Sequence, residues 1–496
     1  MNRRVLDNVL LDANPTPMRI ELQDSIITGL RPASNPNSAT SVTKLKPGFV
    51  DSHCHIVATG SDQLRPSIQG LTHRDEMLTV IKSNLDKGEG WLLVIGYDQN
   101  LLDGKHISCD ELDRLNSKRP ILLRHVNFHA GVTNSLGLKS AQINPDQIDP
   151  EGGRFGRDSS GKLDGTLFEL AYNQVLRVIP PPNQADLVNA ILTAKNLLTG
   201  FGIVAAADMS SVGINLMDIL EGFRLAEEAD KRVKIRLYLP WKDVFGPRGV
   251  GLGVLKPYQN LIAGIKLFAD GAIGSATAAI YGSYSGIQAT GARISARAHP
   301  AQQESRQEVS GQLIYQPEKF KLMVQTAHEA GFQIASHAIG DFAIDVVLDA
   351  YESTGNASRH RIEHAMLLSD AQIDRIAKSG CAVSMQPEFL LKFGHAYRAQ
   401  LDAERSFKLN RYRSVHQAGI PLSLSTDRPV VEGNPVESLN LAINRPKGFD
   451  PNENLPEDIA RTLWTASAAK MCGFGSEIGS LQIGSPVSLV NLQTEN

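Results

Sequence analysis

Eight short apolar runs recur along the 496 residues, and their spacing constrains the fold more than any other feature of the chain. They are "GFVDSHCH" (48–55), "GIVAAADM" (202–209), "KIRLYLP" (234–240), "AGIKLFADG" (263–271), "FQIASHAIG" (332–340), "RIEHAM" (361–366), "CAVSMQP" (381–387) and "IPLSLSTDRP" (420–429). Between several of them lie stretches such as "KFKLMVQTAHEAG" and "SDAQIDRIAKSG", where apolar residues recur at three and four and a glycine closes the pattern, as in an amphipathic helix. Near-continuous apolar strands are buried on both faces. Eight of them alternating with helices predict an α/β fold, a parallel (β/α)8 TIM barrel.

The first interval is too long for a single crossover. Residues 60–200 contain further strand candidates, "WLLVIGYD" and "PILLRHVNFHAGV", then a Gly-rich loop "DPEGGRFGRDSSGKLDG" and helical text from 164 to 199. An inserted subdomain is therefore expected after strand one, and insertions there lie at the C-terminal face of a barrel and commonly shape its active site. Near the two ends of the chain, "RVLDNVLLD", "MRIELQDSIITGL" and "GSLQIGSPVSLVNLQ" read as short strands with turns. The expected organisation is a small β-sandwich built from 1–46 and 476–496, flanking a barrel of 47–475 that carries the insertion 60–200.

Composition narrows the partners. With 42% hydrophobic and 21% charged residues, the chain has the balance of a globular protein rather than a disordered one. A formal charge of -3 gives no electrostatic reason to expect nucleic acid or an anionic membrane. The first residues mix Asp and Asn into their apolar text, unlike a secretory signal, and no run approaches the ~20 apolar residues of a membrane span. The expected setting is the cytoplasm, with a small-molecule substrate and self-association into a homo-oligomer. Cys54, Cys109, Cys381 and Cys472 lack CxxC spacing and fit reduced, structural thiols.

Chemistry enters at the strand ends. His53 and His55 are two apart, so in an extended strand they share a face while Cys54 points away. The C-terminal ends of the other strands add Lys266, His337, His364 and Asp427, which a barrel would bring to one rim. Each has a bland reading alone: a core histidine bonded to backbone, a turn aspartate, a lysine with its head in water. Together, four imidazoles and a carboxylate are the donor set of zinc or another borderline divalent ion, and such an ion lowers the pKa of bound water toward ~7. Lys266 offers no lone pair while charged, but a buried lysine shifts toward its neutral amine, which reacts with carbon dioxide to give a carbamate. That carboxylate-like group would bridge a His53/His55 ion and a His337/His364 ion.

The motifs "PGFVDSHCH", "GIKLFADGAIGSATAA", "SHAIGDFAIDVVLDA", "RIEHA" and "STDRPV", in this order, resemble the amidohydrolase superfamily, specifically its branch containing N-substituted formamide deformylase and many uncharacterised metal-dependent hydrolases. The likeness continues through "LDRLNSKRPILLRHVNFHAGVTNSLGL" and covers nearly the whole chain. It implies a barrel with a flanking β-sandwich and metal ligands at His53, His55, His337 and His364. It also implies that Lys266 is N6-carboxylated, that one or two Zn2+ ions are bound, and that Asp427 handles the proton of the attacking water. Two departures stand out: Ser425-Thr426-Asp427 where the branch often reads Gly-Ser-Asp, and "SPVSLVNL" near the C-terminus. Neither removes a ligand.

Hydrolysis of a C–N bond in an amide or N-formyl or N-acyl amine, through metal-activated hydroxide with Asp427 as the catalytic base, is the expected function. The alternatives are deamination of an aromatic amidine, or a non-catalytic scaffold that kept the fold. Deaminases of the superfamily usually carry a Glu a turn beyond the fifth-strand His, where this chain has Asp341, and scaffolds typically lose ligands. "GRDSSGKL" (156–163) matches GxxxxGK but has Leu where a Ser or Thr is needed, so it reads as a surface turn. No HExxH or GxSxG occurs. Substrate contacts are expected from Tyr97, Asp98, Phe128 and His129 of the insertion and from Arg405, with Arg445 a further candidate.

Overall fold

The eight apolar runs become eight parallel strands: β1 (Phe49–Cys54), β2 (Ile203–Asp208), β3 (Lys234–Pro240), β4 (Ile262–Phe268), β5 (Gln333–Ala338), β6 (Arg361–His364), β7 (Ala382–Met385) and β8 (Leu422–Leu424). They lie side by side in chain order in one sheet. The computed structural model describes residues 3–11, 14–33, 42–102, 104–115, 118–126, 130–150, 153–210, 213–285, 308–488, 490 and 492–495. Every residue of β1, β2, β6, β7 and β8 is buried, as two covered faces demand. The ring closes at its C-terminal rim, where Asp427 N–H donates to His53 O at 2.7 Å and His55 N–H donates to Arg428 O at 2.7 Å. The fold is a (β/α)8 barrel.

Register fixes who faces whom at that rim. Phe268 of β4 pairs with His337 of β5, and His337 and Ala338 pair with Glu363 and His364 of β6. The helices between strands follow their sequence signals. In Asp370–Ser379, Ser369 and Gln372 form a capping box and Gly380 ends the helix at φ 72°, a left-handed conformation that glycine adopts without steric cost.

The described residues divide into two compact units, one of residues 1–56, 195–212 and 216–496, the other of 57–194 with 213–215. The first unit holds the barrel and a five-stranded sheet from both ends of the chain, ordered Leu492–Glu495, Val42–Leu45, Arg3–Leu11, Asn14–Gln23, Ile26–Pro32. Its buried side includes Val9, Ile20, Leu22, Ile27 and Leu45, packed with Val487.

The second unit follows β1 in the chain and has its own five-stranded sheet and core. The run "PILLRHVNFHAGV" reads as one strand but folds as two, Ile121–His125 and Ala130–Thr133, antiparallel. The Gly-rich stretch expected as a loop is a hairpin of Gly153–Arg157 and Leu163–Glu169, so the text from 164 begins as a strand, with helices following at Leu170–Leu176 and Gln184–Gly200. Its tip carries the GxxxxGK lookalike. There the Asp158 carboxylate accepts from the N–H groups of Ser160 at 2.8 Å and Lys162 at 3.0 Å, a local turn of the kind Asp favours. Among the described residues no helix is long and apolar enough to cross a membrane, and the four cysteines are free and buried.

Candidate metal centre

Strand β1 delivers His53 and His55, and each ring is oriented by an acceptor on its Nδ1. His53 Nδ1 lies 2.6 Å from Glu363 Oε2, and His55 Nδ1 lies 3.0 Å from the carbonyl oxygen of Ser210. A carboxylate and a carbonyl can only accept, so both Nδ1 atoms carry the hydrogen and both Nε2 atoms present lone pairs. Those two Nε2 atoms face Asp427 Oδ1 at 3.3 Å and 3.1 Å. The ligand atoms of His53, His55 and Asp427 lie within 4.8 Å of one another.

Three lone-pair groups converging in a buried place call for a positive charge among them. Burial pushes the His55 pKa down, yet the Asp427 carboxylate outweighs that and leaves it above its ordinary value. Asp427 reaches this place with φ 60°, a left-handed conformation that aspartate tolerates better than most residues.

The other two histidines lie alongside. The ring of His364 is 4.8 Å from that of His53 and 4.6 Å from that of His337, centre to centre. His337 Nε2 lies 2.9 Å from the Gly271 carbonyl oxygen, which leaves Nδ1 bare. Gln386 Nε2 donates to Ser425 Oγ, so its Oε1 faces His364 Nδ1 at 2.7 Å and leaves Nε2 of that ring bare. Burial, followed by the neighbouring Lys266, brings the His337 pKa down to about 4, and burial with the His337 ring drives that of His364 well below its ordinary value. Both rings are neutral donors at neutral pH. His364 holds φ 74° and Ala365 φ 44°, and a non-glycine residue kept in that region costs of order 1–3 kcal/mol, a strain characteristic of functional positions.

Lys266 Nζ is buried with no hydrogen-bond partner among the described residues. Burial lowers its pKa to about 8, against the pull of Glu363 and Asp427. Its surroundings shift it toward the neutral amine. These orphaned atoms, with nitrogen and carboxylate donors, fit a borderline divalent ion of the zinc type.

Several residues that hold the site escaped sequence reasoning. Glu363 orients His53, and Gln386 orients His364. Asp208 accepts from Ile56 N–H at 2.7 Å and Ser210 N–H at 2.9 Å, placing the carbonyl that fixes His55. Asp270 accepts from the N–H groups of Ala279, Ile339 and Gly340, and burial raises its pKa to about 7. The available signal was a charged residue inside an apolar strand, as in "RIEH" and "FADG".

The expected substrate contacts fare differently. Tyr97, fully buried in the second unit, has its hydroxyl 3.1 Å from His106 Nδ1 and accepts from Ile107 N–H at 2.9 Å, so its polar end is engaged in holding that segment. Asp98 lies 3.8 Å from His125 Nε2 in the same unit. Phe128 and His129 lie outside the described residues. Arg405 donates to the carbonyls of Tyr281 at 2.9 Å and Ser283 at 2.7 Å, bracing a loop. Arg445 does the same for Leu409 and Asn410. The carboxylate of Asp341 accepts from Tyr281 N–H at 2.8 Å and Phe342 N–H at 3.0 Å, which places it at the start of a helix in a structural role.

Residues 45–495 match the family described as "Amidohydrolase family". The chain is 28% identical to the putative amidohydrolase YtcJ of Bacillus subtilis over 441 residues, 85% of this chain and 79% of that protein. It is 27% identical to the N-substituted formamide deformylase of Arthrobacter pascens over 499 residues, 94% and 87% of the two chains. Among solved structures, an uncharacterised metal-dependent hydrolase from Pyrococcus furiosus superposes with a TM-score of 0.75 at 23% identity, covering 99% of this chain and 98% of that one.

Proposed function

The chain belongs to the amidohydrolase family, and from that premise we propose that it hydrolyses the C–N bond of an amide or N-formyl amine at the His53, His55 and Asp427 centre. The single observation that carries the proposal is the pair of bare Nε2 lone pairs aimed, with their Nδ1 hydrogens already committed, at the Asp427 carboxylate. The relative named N-substituted formamide deformylase supports the bond class.

His53, His55 and Asp427 would hold one ion; His337, His364 and a carbamate on Lys266 would hold a second. The carbamate forms when the neutral Nζ attacks the carbon of carbon dioxide and sheds a proton. A divalent ion there supplies Lewis acidity and lowers the pKa of water. Asp427 takes the proton of the attacking water on a carboxylate oxygen and returns it to the departing amine nitrogen.

The test is a panel of N-formyl, N-acetyl, carbamoyl and cyclic amides assayed with zinc-loaded protein, following amine release. Turnover of at least one class is expected. Ammonia release from an aromatic amidine with every amide untouched would overturn the proposal.

A further inference from the structure

A second, fully buried pair of charges stands directly behind His53. Arg361 and Glu363 are both 0% exposed, two residues apart on β6. Arg361 Nε donates to Glu363 Oε1 at 2.5 Å and its Nη2 donates to Oε2 at 2.9 Å. Glu363 Oε2 also receives the Nδ1 hydrogen of His53 at 2.6 Å. The same Arg361 Nη2 donates to the carbonyl oxygen of Ser52 at 2.9 Å, the peptide that leads into His53. Tyr238 completes the enclosure, its ring 5.3 Å from the guanidinium carbon.

A buried ion pair is no better for stability than well-packed apolar residues of the same volume, so stability alone gives little reason for it here. Its geometry supplies another reason. One side chain fixes the imidazole and the other fixes the backbone of the same residue, so ring tautomer and position are set together. A negatively charged acceptor on Nδ1–H also raises the electron density at Nε2, where the neutral Gln386 amide behind His364 does so less. Arg361 makes that carboxylate tolerable in a dry interior.

We infer that Arg361 and Glu363 are a positioning pair that presets His53 as a metal donor, with Glu363 acting on the ring and Arg361 on Glu363 and the Ser52 carbonyl. The inference rests on the metal centre proposed above. It predicts that affinity for the ion, and not only turnover, depends on two residues that touch neither ion nor substrate.

The experiment uses the full chain, stripped with chelator and titrated with zinc against a chromophoric chelator, for the parent and two variants. Glu363→Asp keeps the charge opposite Arg361 but withdraws the carboxylate from Nδ1. Arg361→Met/Glu363→Gln removes both charges of the pair together, so neither partner is left buried without the other, as it would be after a single change. Both are expected to bind zinc about 10–100-fold more weakly than the parent, with parent-like circular dichroism. Zinc affinity within twofold of the parent in either folded variant overturns the inference and leaves the metal centre standing. A parent chain that takes up no zinc overturns the metal centre itself.

Discussion

Lys266 is where stability and function are set most sharply against each other. Burial lowers its pKa from 10.5 to about 8, and each pH unit is worth about 1.4 kcal/mol, so holding the ammonium in the metal-free barrel at pH 7 costs about 3 kcal/mol. Because the folded-state pKa is the lower one, the unfolded chain binds more protons between pH 8 and 10.5. The penalty is therefore full below pH 8 and relieved as the pH rises through that window. Lys266→Met fills the same space without a charge. In urea denaturation of chelator-treated protein it should be more stable than the parent by about 3 kcal/mol at pH 7, with the difference closing toward pH 10.5. Amide hydrolysis by the zinc-loaded variant should be lost. A variant no more stable than the parent at pH 7, or a gap that does not narrow with pH, would mean that the ammonium is paired in solution, and the case for a reactive neutral amine would fall with it.

Asp427→Asn keeps the side-chain volume and suits the left-handed backbone, so the fold should survive while turnover of any amide substrate drops by about 10²–10⁴-fold; turnover within a few-fold of the parent would reduce Asp427 to a turn residue. Burial raises the Asp341 pKa to about 6, so this group stabilises the fold below about pH 4 and that contribution is lost as the pH rises through 6. Asp341→Asn keeps the acceptor for Tyr281 and Phe342, so at pH 7 it should gain up to about 3 kcal/mol over the parent and at pH 4 nothing, measured by paired melting curves. Gly264→Ala, two residues before Lys266 on β4, would put a Cβ 2.3 Å from Gln333 O and 2.8 Å from the Tyr238 ring, and should cost about 1–3 kcal/mol in denaturant unfolding.

The barrel was legible because parallel strands covered on both faces must be apolar almost throughout, and eight such runs leave few other architectures. The clustering of the candidate histidines was legible because polar residues at strand ends stand out against that background. Glu363 and Arg361 were not read, although "RIEH" was quoted as a strand. Their meaning depends on a contact with His53 that spans 310 positions of sequence, which no local pattern carries. The bracing of loop carbonyls by Arg405 and Arg445 was not legible either: an arginine that holds a loop looks the same in sequence as one that meets a ligand. The glycines of 153–165 suggested a loop, whereas the hairpin holds Gly153, Gly156 and Gly165 within its two strands and Gly161 at its turn.

The most direct measurement is anomalous diffraction at the zinc absorption edge from crystals of zinc-loaded protein. The account predicts a peak about 2.0–2.2 Å from His53 Nε2, His55 Nε2 and an Asp427 carboxylate oxygen. Density for all three side chains with no anomalous peak among them, in protein that elemental analysis shows to contain zinc, would contradict it.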